Sequence, residues 1–199
     1  MSKGFFRLAA VALLLAVAPA MAGDFQPPAD GANNPPPKEA FSAFQRFEAM
    51  PIAMGAPWAG QNTNEAAKTM LQADLDERLK PLLAEWNAKP AGDAPRTLRI
   101  EPVVRYIRYI TGGKRFWGGG FAGNSAIMIS LKVTDAATGD VIAEPDFYQH
   151  ANALGAAWSF GATDKTMLIR ISNMVTEYLR ANYPQAVGGS ISIAPDVSN

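Results

Sequence analysis

The 199-residue chain contains no cysteine and a single histidine, His150. Without cysteine there is no disulfide framework, no thiol nucleophile and no lipobox cysteine that could carry a lipid. One histidine is too few for the usual zinc sites, which combine two or more His or Cys ligands. The stability of the protein must therefore come from an ordinary hydrophobic core.

The sequence also lacks an apolar run long enough to cross a bilayer, which takes roughly twenty residues. The run from Leu8 to Val17 is shorter, follows Lys3 and Arg7, and precedes Ala-Met-Ala at residues 20–22. This order is typical of a secretory signal peptide covering residues 1–22. The alternative is an N-terminal anchor that is never removed. Either way we expect export, and we predict a soluble periplasmic protein.

The sequence has no net charge, because its 18 Lys and Arg are balanced by 18 Asp and Glu. Cleavage after Ala22 would remove two cations and no carboxylate, which leaves the mature chain slightly acidic. A nucleic-acid-binding protein usually carries a basic excess. We therefore predict no nucleic-acid partner.

Proline and polar residues divide the chain. Residues 23–38 contain five prolines and little apolar surface, so we predict a disordered leader. Residues 184–199 are similar and are predicted to form a flexible tail. The intervening residues 39–183 have the usual size of a single domain with one core.

The first half of this domain predicts a strand followed by a helix. Within this part, a strand is predicted in the latter portion of the segment 40–54, ending near Pro57. The spacing of Phe41, Phe44 and Phe47 also fits a helical turn. A helix should then begin with Asn62 or Asn64 as its cap and Glu65 in its first turn. Its apolar positions are Ala67, Met70, Leu71, Leu75, Leu79, Leu82, Leu83 and Trp86. Pro81 should kink or break it.

The second half of the domain sequence predicts three strands and a second helix. From Thr97 to Ile110, Leu98, Ile100, Val104 and Tyr106 fall on one face, and Arg99, Glu101 and Arg105 fall on the other. Alternation resumes from Ile127, and the turn sequence from Asp135 to Asp140 predicts a hairpin. Thr163 or Asp164 should cap a helix whose inward face is Met167, Leu168, Ile171, Met174, Val175, Tyr178 and Leu179. The order β-α-β-β-β-α predicts an α+β two-layer sandwich, mainly antiparallel, with both helices on one face of the sheet.

The glycine-rich segment GGKRFWGGGFAGN, residues 112–124, is not a phosphate-binding loop. A Walker loop continues with Lys and Ser or Thr into a helix, and a dinucleotide fingerprint also opens a helix, whereas a strand follows here. We therefore predict no cofactor. One interpretation is a turn whose glycines allow positive φ.

The other interpretation starts from the charges, because six Lys and Arg but only one carboxylate, Glu101, lie between Arg96 and Arg115. Arginine suits carboxylate and phosphate, and aromatic side chains suit protein interfaces. The predicted partner-binding residues are Arg99, Arg105, Arg115, Trp117 and Phe121. The partner would be an envelope protein or an anionic envelope component.

No catalytic or metal-binding group is predicted. His150 has Glu144 and Asp146 nearby in sequence, but no second His or Cys and no G-x-S-x-G accompanies it. We therefore expect no enzyme, and a hydrolase using His150 is the less favoured alternative. Another alternative is an apolar-ligand or lipid carrier with a methionine-rich cleft between helices and sheet, formed by Met50, Met54, Met70, Met128, Met167 and Met174.

The segment WGGGFAGNSAIMISLKVTDAATGDVIAEP, preceded by Arg115 and followed by a helix, resembles a family of exported bacterial proteins, many of them lipoproteins, whose domain has no assigned function. The matching residues of its Asp-x-x-Thr-Gly turn are Asp135, Thr138 and Gly139. The resemblance covers roughly residues 41–183. Related folds occur in the N-terminal domain of the Tol-system propeller protein and in curli-secretion lipoproteins. The resemblance implies a role in envelope assembly or interaction and transfers no catalytic residue. The chain departs from many members by lacking the lipid-bearing cysteine.

Overall fold

The computed structural model describes residues 25–109, 125–151 and 162–193. The predicted signal peptide and the glycine-rich segment lie outside the described residues, as do the side chains of the predicted caps Thr163 and Asp164. In chain order the elements are β1 (Asn33–Asn34), a 3-10 turn (Phe41–Ala43), β2 (Arg46–Ala49), β3 (Ala53–Met54), α1 (Asn62–Asn87), β4 (Thr97–Arg108), β5 (Ala126–Asp135), β6 (Val141–Ala143), β7 (Asp146–His150), α2 (Ala162–Asn182) and β8 (Gly189–Ser190).

Six strands form the main sheet, and the long antiparallel pair β4 and β5 is its centre. On one side, β2 and β3 run parallel to β4, because α1 carries the chain back before β4 begins. On the other side, β6 and β7 run antiparallel to β5. Two helices and a mainly antiparallel sheet confirm the predicted α+β sandwich.

The core lies between the helices and one face of the sheet. The apolar positions predicted for α1 are buried, except that Met70 is half-buried, and the predicted inward face of α2 is buried throughout. Each large aliphatic side chain buried in this way contributes about 1.5–3 kcal/mol. Phe41, Phe44 and Phe47 are buried as well, although only Phe47 lies in a strand.

Of the kink or break predicted at Pro81, the break is wrong, since α1 runs continuously from Asn62 to Asn87. Proline at position 81 removes the hydrogen bond that an N–H there would donate to the carbonyl of Glu77. Pro81 and Glu77 are both exposed, so water can solvate that carbonyl. Packing of the buried face on both sides of Pro81 then holds the helix together.

The start of α1 also differs from the prediction, because its N-cap is Gln61 rather than Asn62 or Asn64. Asn64 is buried and donates to the carbonyl of Trp58 at 3.3 Å. Glu65 lies in the first turn as expected, and its carboxylate accepts the N–H of Gly60 at 2.9 Å.

The leader and tail, predicted to be disordered and flexible, both contact the domain in the structure. β1 pairs with β8, and the backbone N–H of Lys38 donates to the carbonyl of Ile142 at 2.9 Å. The tail continues beside β7, where the N–H of Tyr148 donates to the carbonyl of Ile191 at 2.7 Å. Polar composition concealed the pairing of β1 with β8 and the contacts of Asn34, because backbone groups and an asparagine amide make them.

Candidate partner-binding face

The sheet has a second face, turned away from the helices, and we call it the outer face. Cross-strand register places residues of β4, β5 and β7 beside one another on it. One end of the face carries Arg99, Glu101, Lys132 and Thr134. The middle carries Val103, Ser130 and Asp146. The other end carries Tyr106, Arg108, Ala126, Met128, Tyr148 and His150. The face is therefore charged at one end and aromatic at the other.

A β-bulge in β4 creates the aromatic end. The register of β4 against β5 shifts between Val104 and Tyr106, so that Arg105 is the extra residue. Ile107 then takes the buried position. The prediction that Tyr106 belongs to the core face is wrong, because one inserted residue reverses the alternation of side chains beyond it.

Trp58 packs against this bulge. Its indole Nε1 donates to the carbonyl oxygen of Arg105 at 3.0 Å, and its ring meets that of Tyr106 edge-on at a centroid distance of 5.1 Å. The loop before α1 thus uses a backbone group that the bulge releases from the strand ladder. This contact positions Tyr106 on the outer face.

The leader completes an aromatic groove on this end of the outer face. The ring of Phe25 stacks on that of Tyr106 with centroids 3.9 Å apart and planes 12° apart, and it lies 5.7 Å from the ring of Tyr148. His150 stacks beside Tyr148 at 5.9 Å. The cavity has a volume of about 590 Å³, and Arg108 also lines it. Burial raises the pKa of the Tyr148 hydroxyl above its ordinary value, and the neighbouring Tyr106 adds to this effect.

Two arginines of the outer face, Arg99 and Arg105, have polar partners. Arg99 Nε lies 2.6 Å from the Glu48 carboxylate, a hydrogen bond that raises the pKa of the guanidinium further. Arg105 Nε donates to the Ser130 hydroxyl at 3.2 Å, and that hydroxyl donates to Asp146. A second cavity of about 490 Å³ lies here and is lined by Val103, Arg105, Met128, Ser130, Leu131, Lys132, Glu144 and Asp146.

Two of the five predicted partner-binding residues, Arg99 and Arg105, lie on the outer face. The other three, Arg115, Trp117 and Phe121, lie outside the described residues. The cation excess seen along the sequence is offset within the described part of the chain, because other segments bring carboxylates to the arginines. Glu48 pairs with Arg99, and both Glu39 and Asp135 pair with Arg96.

The exposed edges of the sheet are partly occupied by side chains and by the tail. The Asn87 amide bonds both the N–H and the carbonyl of Phe47 in β2, at 2.8 and 2.9 Å. On the opposite edge, the Asn34 amide bonds the N–H and the carbonyl of Asp146 in β7, each at 2.8 Å. Such contacts hinder strand addition by another chain at these positions.

The single histidine of the sequence, His150, lines the aromatic groove. Ser192 and Asp30 line the same groove, but no hydrogen bond joins either of them to His150 in the described ranges, whereas a nucleophile and its base are expected within hydrogen-bonding reach. Glu144 lines the other cavity. Among residues 25–109, 125–151 and 162–193, no group of three His, Asp or Glu could hold a metal ion.

The six methionines do not line one cleft. Met167 and Met174 are buried in the core, Met54 and Met70 pack against it, Met50 is 40% exposed, and Met128 lies on the outer face. Most of them are core filling. Within the described part, no helix is long and apolar enough to cross a membrane.

Sequence reasoning missed Phe25, Trp58 and Tyr148 as members of a site. The alternation of Tyr148 and His150 along β7 was a usable signal, because it places both on one face. Phe25 and Trp58 belong to the proline-rich leader and a loop, where no periodicity indicates a partner.

No protein-family model matches the sequence, and no curated protein matches it. Among solved structures, the chain is similar to the PelC dodecamer from Paraburkholderia phytofirmans, with 14% identity, a TM-score of 0.36, and coverage of 70% of this chain and 91% of that one. It is also similar to a lipoprotein candidate from Caulobacter crescentus, with 13% identity, a TM-score of 0.35, and coverage of 71% and 90%. A hypothetical protein from Chlamydia trachomatis matches with 10% identity, a TM-score of 0.33, and coverage of 68% and 98%. These similarities are too low to assign a function, and the link to Tol-system and curli-secretion proteins stays a prediction.

Proposed function

We propose that this protein is an exported, non-catalytic binding domain that recognises an envelope protein in the periplasm through the outer face of its sheet. The observation that carries the proposal is the aromatic groove. Tyr106 on β4 and Tyr148 and His150 on β7, the two strands that flank β5, line a cavity of about 590 Å³ on the face that the helices leave uncovered. Aromatic side chains supply large, rigid contact area and dominate the energetics of protein interfaces.

The charged end of the same face favours a protein over an anionic headgroup. Arg99 already has Glu48 as a partner, and Asp146 lies in the hydrogen-bonded chain that begins at Arg105. A phosphate placed there would meet carboxylates as well as cations, and these carboxylates would repel it. A protein surface with its own mixed charges can complement both signs.

The non-catalytic character is part of the proposal. It is supported by the absence of a hydrogen bond from His150 to Ser192 or Asp30 in the described residues, and by the hydrogen bond that the Asp146 carboxylate accepts from Ser130. The export of the protein rests on the N-terminal sequence. A lipid carrier is less favoured, because the six methionines of its predicted cleft are distributed over the core and two surfaces.

Site-specific photocrosslinking in intact cells tests this proposal. A photoreactive amino acid in place of the exposed outer-face residue Lys132 should capture a defined protein, and the same group in place of Lys80, exposed on α1, is the matched control. Reversing the charge of Arg105 or removing the ring of Tyr106 should weaken the Lys132 adduct several-fold. Equal background labelling from both positions would show that the outer face is not the binding surface.

A further inference from the structure

One wall of the aromatic groove is itself a peptide, the leader of the same chain, which packs on the rings of the sheet. Phe25 is half-buried between Tyr106 and Tyr148, with centroid distances of 3.9 and 5.7 Å. Pro27 and Pro28 line the cavity beside it. Phe25 is therefore seated on rings supplied by two strands of the sheet, and the two prolines follow along the cavity.

Ring contacts, rather than backbone hydrogen bonds, hold this segment. In the part of the chain that the structure describes, the hydrogen bonds of the leader begin at Ala29, which accepts from Ala32, and no hydrogen bond joins residues 25–28 to the sheet. The firm anchor comes later, where β1 pairs with β8. Residues 25–28 can therefore leave the groove while the rest of the leader stays attached.

The chemistry of this occupant indicates what else the groove can bind. Proline fixes its own φ, so a segment with consecutive prolines is already extended and loses little entropy on docking. Aromatic-lined grooves are a known mode of binding such segments. His150 and Arg108 line the same cavity and add polar groups at its margin.

We propose that the aromatic groove is a docking site for an extended peptide in which an aromatic residue precedes prolines, and that residues 25–28 occupy this site in cis. The proposal rests on the proposed function, because it names the class of partner segment that the outer face recognises. A partner segment has to displace Phe25. The cis segment competes at the high effective concentration that a short tether creates.

A labelled synthetic peptide of residues 24–30 tests the proposal by fluorescence anisotropy with the full chain. The Phe25→Ala protein, whose groove is vacated, should bind the peptide at least tenfold more tightly than the unsubstituted protein, since the cis competitor is weakened. A peptide carrying alanine in place of Phe25 should not bind either protein. This peptide control is independent of how any protein variant folds.

The second set of variants locates the binding. Tyr106→Ala in the Phe25→Ala background should lose the peptide, whereas Met50→Ala, at an exposed position away from the groove, should not change its binding. The proposal is overturned if the Phe25→Ala protein fails to bind the peptide, or if it binds no more tightly than the unsubstituted protein. Binding of chitohexaose or of phosphatidylglycerol vesicles without peptide binding would overturn it as well.

The two proposals can fail separately. If the peptide does not bind but the Lys132 adduct forms in cells, the outer face binds a partner by other means and only the peptide assignment is wrong. If the peptide binds but no outer-face adduct forms, the groove is a site for the protein's own leader and the proposed function is wrong.

Discussion

The side-chain amide of Asn182 bonds both main-chain groups of Gly188: its Oδ1 accepts the N–H at 2.8 Å, and its Nδ2 donates to the carbonyl at 2.9 Å. The same Oδ1 accepts the N–H of Val187 at 2.8 Å. Asn182 is the last residue of α2 and is completely buried. It fixes the path of the tail toward β8, and through β8 it fixes the position of the leader.

Asn182→Ala should destabilise the protein, because it leaves the buried N–H and carbonyl of Gly188 without their partner. The expected loss of unfolding free energy is about 1–3 kcal/mol. Asn33→Ala is the matched control, since the Asn33 amide makes one exposed hydrogen bond, to the carbonyl of Gly31, and its loss should change stability by less than about 0.5 kcal/mol. Urea unfolding of both variants checks this, and equal midpoints would show that Asn182 does not hold the tail.

Gly188→Ala should be more damaging than Gly139→Ala. Both glycines have φ of 78°, a left-handed conformation that costs a residue with a Cβ about 1–2 kcal/mol. At Gly139 an added Cβ meets open space, whereas at Gly188 it would overlap the carbonyl oxygen of Asn34. The difference between the two variants in urea unfolding therefore isolates the close approach of tail and leader, and identical losses would contradict that approach.

Acid should destabilise the protein through the carboxylates around Arg96. A hydrogen bond from Arg96 lowers the pKa of Glu39, and the N–H of Ala137 together with Arg96 lowers the pKa of Asp135. Because both pKa values are lower in the folded state, their stabilisation is complete above the unfolded values of about 4 and is lost as the pH falls through the folded values.

Arg96→Ala should remove most of the acid sensitivity that comes from Glu39 and part of that from Asp135, which keeps its bond from Ala137. Arg99→Ala is the control, because its partner Glu48 is as exposed as Arg99 itself and exposed pairs contribute little. The difference between the urea midpoints at pH 7 and pH 3 should become smaller in Arg96→Ala and stay unchanged in Arg99→Ala. An unchanged gap in Arg96→Ala would refute this assignment.

Alkali should destabilise the protein through Tyr178. Burial raises the pKa of its hydroxyl to about 12, above the unfolded value of about 10. The unfolded state therefore ionises first, so the contribution is intact below pH 10 and is lost as the pH rises toward 12. Tyr178→Phe should reduce this loss between pH 9 and pH 11 in urea unfolding.

The same variant should not lower stability at pH 7. The Tyr178 hydroxyl is buried without a hydrogen-bond partner among the described residues, so its removal avoids a desolvation cost of about 1–3 kcal/mol. A clear loss at pH 7 would show that the hydroxyl has a partner.

Sequence patterns predicted the elements whose burial is periodic. The inward faces of α1 and α2 could be predicted because a helix repeats every 3.6 residues and a core excludes charge. The hairpin after Asp135 could be predicted because its turn needs Gly139 in a left-handed conformation. The continuity of α1 through Pro81 could not, because local propensity opposes it and tertiary packing overrides that propensity.

The site, like the fold, has some features that local sequence patterns predict and others that depend on tertiary packing. Alternation along a strand is a local property of the backbone, so the sequence alone was enough to place Arg99 and Arg105 on one strand face. The bulge at Arg105, the outward turn of Tyr106 and the stacking of Phe25 from far along the chain emerge only in the folded molecule. Register shifts and contacts between distant segments depend on packing energies summed over several elements, and a local pattern does not contain those sums.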